Sequence, residues 1–146
     1  MQIRRAIRRD IAEMMRIRAI VRENRLMTIV ITDAEYAARL DGHYATWVAV
    51  DDDDDRRVHG FASADRLRAN VWALFVDPDA EGRGFGSALH ETMMDWLFEG
   101  VERAWLTTEP NTRAERFYRA SGWTEVGTEA SGELRFEMSA ATRTRR

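Results

Sequence analysis

Glu81-Gly82-Arg83-Gly84-Phe85-Gly86, followed directly by Ser87, are the residues whose spacing speaks most clearly of chemistry. An apolar run, V-W-A-L-F-V over residues 71–76, precedes them, and a helical pattern follows. Glycines at alternate positions let the backbone approach a ligand closely. They also permit dihedrals that turn successive N–H groups into one concavity. Where such a loop opens a helix, its amides and the positive end of the helix dipole make a site for phosphate oxygens. The loop therefore predicts a phosphorylated ligand.

Which ligand depends first on what the chain lacks. All 22 basic residues are arginine. A P-loop needs G-x-x-x-x-G-K-[ST], with a lysine amine on the β/γ-phosphates, so that reading fails. The dinucleotide fingerprint G-x-G-x-x-G fails too, because Gly84-Phe85-Gly86 is followed by Ser87, Ala88 and Leu89. Without lysine there is no pyridoxal Schiff base, and without cysteine no thiolate nucleophile or thiolate zinc site. His43, His59 and His90 are scattered without paired metal-ligand spacing. No metal is expected.

A second block lies downstream: N-T-R-A-E-R-F-Y-R-A-S-G-W over residues 111–123. Together the two blocks resemble the GNAT superfamily of N-acetyltransferases. The first is similar to its motif A, [QR]-x-x-G-x-[GA], departing only at Glu81. The second is similar to N-x-x-A-x-x-F-Y-x-x-x-G-[FW]. The resemblance is strong over residues 71–126 and extends upstream in layout alone.

That resemblance implies acetyl-CoA as cosubstrate. It places the pyrophosphate on Glu81, Gly82, Arg83, Gly84, Phe85, Gly86 and Ser87, chiefly through backbone amides. The strand edge at Phe75 and Val76 would pair with the pantetheine amides, and Asn111 would cap its helix, bond the pantetheine, or both. The strand ending at Val76 would splay from the one ending near Thr108. Tyr118 falls at the position that donates a proton to the leaving sulfur; read alone, it is equally a core aromatic beside Phe117. The general base has no motif. Glu109, just past the facing strand, is the candidate chosen, with Asp77 also bordering the splay, and either is readable as an ordinary loop carboxylate. A carboxylate at position 81 would repel a pyrophosphate unless it points away.

The elements that must position these residues form one alternating pattern, with no linker long enough to divide it. Strands are expected over residues 2–7, 47–50, 58–64, 71–76, 104–107, 123–126 and 134–138. Helices are expected from a cap at Asp10 to about residue 25, over 32–40 behind the capping box Thr32-Asp33-Ala34-Glu35, over 87–98, and after Pro110. The five aspartates 51–55 read as a solvated hairpin tip, and the tail from about residue 141 as frayed. The fold class expected is a mixed α/β (α+β) GNAT-like domain over residues 1–146, a central mixed sheet flanked by about four helices.

Composition fits a globular chain: 146 residues, 45% hydrophobic, with five tryptophans. A net charge of −3 argues against a nucleic-acid partner. No apolar run approaches the ~20 residues of a membrane span. The start M-Q-I-R-R-A-I-R-R-D lacks the apolar core of a signal peptide, so a cytoplasmic location is the default. The function expected is acetyl transfer from acetyl-CoA to a primary amine by direct attack in a ternary complex, since no cysteine can hold an acetyl intermediate. The acceptor would be a small molecule or a protein amine, with no membrane partner, and the chain is compatible with a homodimer. Two other classes stay open: a non-catalytic acyl-CoA-binding or sensing module, and an α/β interaction domain with an accidental glycine turn.

Overall fold

The computed structural model describes residues 1–21 and 31–143, and these build one seven-stranded mixed sheet with helices on both faces. In chain order the elements are β1 (Gln2–Arg5), α1 (Ile11–Val21), α2 (Asp33–Ala38), β2 (Tyr44–Asp51) and β3 (Asp54–Asp65). There follow β4 (Asn70–Val76), α3 (Phe85–Leu97), β5 (Arg103–Thr108), α4 (Arg113–Ala120), β6 (Thr124–Thr128) and β7 (Leu134–Ser139). The strand order is β1-β2-β3-β4-β5-β7-β6. Every neighbouring pair is antiparallel except β4 and β5, which are parallel.

Covering both faces splits the core in two. Ile11, Met14 and Ile17 of α1 and Tyr36 of α2 pack on Val48, Val50, Val58, Phe61 and Ala73. Leu89, Met93 and Leu97 of α3 and Tyr118 of α4 pack on Trp47, Ala49, Ala62, Ala64 and Leu106. Strand β2, paired on both edges, is therefore buried on both faces, and it reads as a nearly continuous apolar run rather than an alternation. At Gly60 a Cβ would sit 2.9 Å from the Phe75 carbonyl oxygen and 3.0 Å from a Leu89 methyl. Only glycine lets α3 lie this close to β3.

Several boundaries differ from expectation for local physical reasons. Asp10 does not cap its own helix. Its carboxylate reaches back to the Ile7 N–H at 2.8 Å and takes a two-pronged bond from Arg4, at 2.8 and 3.0 Å, so β1 stops at Arg5 and α1 starts at Ile11. The Thr32 capping box is formed reciprocally, both bonds at 3.2 Å. The helix it starts ends at Ala38, short of residue 40.

The aspartate run forms an exposed hairpin tip, as expected, and several of its carboxylates are also paired. Asp51 and Asp54 pair across the hairpin. Asp51 bonds His59 and Arg83, both at 2.9 Å, and Asp55 pairs with Arg9 at 2.8 Å. The tail is not loose at Arg143, which bonds Glu91 at 2.8 Å and Asp95 at 2.7 Å. The expected extension of α1 to residue 25 and the last three tail residues lie outside the described residues.

Candidate functional site

The parallel neighbours β4 and β5 are joined at one end only. Asn70 and Trp105 are their single register pair. Trp105 is clamped there by three bonds: its N–H to Ala69 O at 2.9 Å, its indole N–H to Arg68 O at 2.9 Å, and its carbonyl from the Asn70 amide at 3.2 Å. Past this clamp the strands part. The gap between them is a cleft of about 730 Å³, walled by residues 71–76 on one side and Thr107, Thr108 and Glu109 on the other. A bulge sharpens the departure. Ala64 faces Val71 while Ser63 faces Ala73, so Trp72 is the extra residue on β4. Its ring packs against Tyr36 at 5.7 Å, under the Arg39 guanidinium at 4.1 Å.

One end of the cleft is the glycine loop. Gly82 and Gly84 hold φ of 81° and 86°, the left-handed region that side chains disfavour. No side chain caps α3, and its first ladder bond runs from the Ala88 N–H to Gly84 O at 3.1 Å. The amides of Phe85, Gly86 and Ser87 precede that bond and stand at the positive end of the helix dipole. Phe85 anchors the loop: it is buried and stacked on His59 at 4.9 Å. The Arg83 guanidinium stacks over Phe85 at 4.7 Å and bonds Asp51, so it ties the loop to the β2–β3 hairpin and is not among the residues lining the cleft. Glu81 does line it, and its carboxylate is paired with Arg113.

The opposite wall carries α4. Thr112, not Asn111, caps this helix, accepting the Glu115 N–H at 3.2 Å while its hydroxyl donates to Glu109 O at 2.8 Å. Asn111 instead adopts a φ of 63° and donates its backbone N–H to the Glu115 carboxylate at 2.7 Å. It does not line the cleft. Tyr118 is a core aromatic, as one reading of the sequence expected. Its ring sits in the core against Phe117 at 5.7 Å and Trp123 at 6.0 Å, and it also borders the cleft. Burial pushes its phenol well above the ordinary tyrosine value, so it stays protonated.

One cleft thus gathers Phe75, Val76, Glu81, Gly82, Gly84, Phe85, Gly86, Ser87, Glu109 and Tyr118. Asp77 is elsewhere. It is buried, accepts the Asp79 N–H at 3.0 Å and pairs with Arg16 at 2.9 Å, the role of a structural cap. Reasoning from sequence missed Thr112 and Arg113. The pattern Thr112-x-x-Glu115 carried the cap signal, and Arg113 sits one residue beyond that cap.

Comparison with known proteins agrees with this geometry. The family model described as "Acetyltransferase (GNAT) family" matches residues 9–123. A mycothiol acetyltransferase of Beutenbergia cavernae is 36% identical over 88 residues, covering 58% of this chain and 30% of that protein. A phosphinothricin N-acetyltransferase of Streptomyces coelicolor is 32% identical over 97 residues, covering 60% of this chain and 56% of that protein. The matched regions are thus between about a third and just over half of these curated relatives. Among solved structures, the PaiA N-acetyltransferase of Thermoplasma acidophilum in complex with coenzyme A superposes with a TM-score of 0.78 at 12% identity, covering 94% of this chain and 98% of that one. The ribosomal-protein-S18-alanine N-acetyltransferase of Escherichia coli gives 0.68 at 21% identity, covering 94% and 90%. The two motif blocks, the parted parallel strands and the family match over most of its length place this chain in the GNAT acetyltransferase family.

Proposed function

We propose that the chain transfers an acetyl group from acetyl-CoA to a primary amine by direct attack within a ternary complex. The observation that carries this is the cleft itself, with unladdered helix amides at one end and a buried, protonated tyrosine in its wall. The residues present suit the cosubstrate. Amide donors and the Arg113 guanidinium stand where phosphates would lie, and a volume of about 730 Å³ is in the range of ligand sites.

When bound, acetyl-CoA supplies a thioester whose acetyl carbon the amine attacks and whose thiolate departs. The chain's own residues do the rest. The amides of Phe85, Gly86 and Ser87 bind phosphate oxygens. The β5-facing edge of β4 around Phe75 and Val76, which has no ladder partner on β5, pairs with the amides of the pantetheine arm. Tyr118 holds at its hydroxyl the proton that the leaving sulfur requires. Glu109, at the end of β5, takes the proton from the acceptor's ammonium form. Arg83 acts by holding the loop, and Asn111 by shaping the turn before α4.

The acceptor is a primary amine on a small molecule or a protein. The two curated relatives and the ribosomal-protein enzyme, by their names, span both kinds. Release of free CoA thiol from acetyl-CoA, measured against a panel of primary amines, tests the reading. Amine-dependent release supports it; CoA binding with no release for any amine would favour a sensing module.

A further inference from the structure

Position 81 departs from the motif-A pattern, and the structure shows what the departure does. Glu81 on the glycine loop is ion-paired with Arg113, the first residue of α4, across the end of the cleft where the phosphates would lie. Both side chains line the cleft, and both are open to solvent, at 37% and 69%. We propose that Arg113 is the guanidinium that binds a phosphate of the cofactor, and that Glu81 is its partner before the cofactor arrives. This rests on the acetyl-CoA reading above.

The chemistry favours an exchange. An exposed ion pair is weak, because both groups remain hydrated and each long side chain must be held in one geometry. A phosphate group offers a guanidinium two parallel bonds and more charge than one carboxylate. Arg113 can therefore leave Glu81 without breaking anything in the core. Arg83, the cation of the glycine loop itself, is already committed to Asp51 and Phe85. The carboxylate that looked like an obstacle to phosphate binding is neutralised from the facing wall. It holds Arg113 at the cleft rim until a phosphate displaces it.

The test is calorimetric titration of CoA and dephospho-CoA into wild type, Arg113→Gln and Glu81→Gln, at low and moderate salt. Arg113→Gln should raise the Kd for CoA roughly tenfold, the effect of one charge-assisted contact, and flatten its salt dependence. Glu81→Gln should lower the Kd several-fold, because it frees Arg113 and removes a repulsive charge. Equal weakening of both ligands by Arg113→Gln assigns the contact to the pyrophosphate. Weakening of CoA alone assigns it to the 3′-phosphate. The melting midpoints of the ligand-free variants should stay near wild type, since both side chains are exposed. An unchanged Kd in Arg113→Gln, or a higher one in Glu81→Gln, would overturn the proposal and leave the acetyl-CoA reading standing. A wild-type protein that binds no CoA would overturn both.

Discussion

Trp123 donates its indole N–H to Nε2 of His90 at 3.0 Å, with both side chains buried. An accepting Nε2 places the ring's proton on Nδ1. The pair joins α3 to the end of α4, because the Trp123 backbone N–H also donates to Tyr118 O at 3.1 Å and its ring meets Tyr118 edge-on. Trp123→Phe keeps much of the apolar contact but strands the His90 acceptor in the core. It should cost about 1–3 kcal/mol in urea unfolding and lower turnover as well, since Tyr118 loses a packing partner. Equal stability of wild type and variant would show that the bond contributes nothing.

Tyr118→Phe removes one hydroxyl and keeps the ring. On the proposed role of Tyr118 as proton donor, turnover should fall by roughly 10²–10⁴, the usual range for a general acid, while the CoA-induced melting shift persists. Retained turnover would reduce Tyr118 to a core aromatic.

Gly84 holds a φ of 86° at the entry to α3. Gly84→Val forces a β-branched residue into the left-handed region, at a cost of at least about 1–2 kcal/mol. It should also displace the amides of Phe85, Gly86 and Ser87 and abolish the CoA-induced melting shift. If stability alone changes, the loop is a turn and not a phosphate site.

Asp77 ties the end of β4 to α1 through Arg16. Burial pushes its pKa up, but the Asp79 N–H and the Arg16 guanidinium outweigh that and hold it below its ordinary 3.8. A depressed folded-state pKa means the stabilisation is complete above about pH 4 and is lost as pH falls through the lower value. Asp77→Asn should therefore destabilise by about 2 kcal/mol at neutral pH, and its deficit relative to wild type should shrink below pH 4. A deficit independent of pH would show that packing, not charge, is what Asp77 provides.

The glycine loop and the α4 segment were legible in the sequence because glycine at 82 and 84 and the block from Asn111 to Trp123 leave local signatures. The capping box at Thr32 was legible for the same reason. The other departures from expectation share a cause, side-chain partners that no periodicity or motif in the sequence announces. Asp10 answers to Arg4 and Ile7, Asp51 to His59 and Arg83, and Arg143 to Glu91 and Asp95. Helix α3 starts at Phe85, ahead of the expected residue 87, because Gly84 opens it without any side-chain cap. The parting of β4 from β5 leaves no trace in periodicity, since alternation records which face a residue occupies and not how far away the next strand lies. The Trp72 bulge and the Glu81–Arg113 pair are invisible on the same ground.

The central claim is that the cleft between β4 and β5 binds acetyl-CoA. The most direct test is a thermal melt with acetyl-CoA, CoA and ATP in parallel. A ligand that binds only the folded state, at about a hundred times its Kd, adds roughly 2.7 kcal/mol and raises the midpoint accordingly. The prediction is a clear upward shift with both CoA forms and none with ATP. No shift with either CoA form would contradict the account.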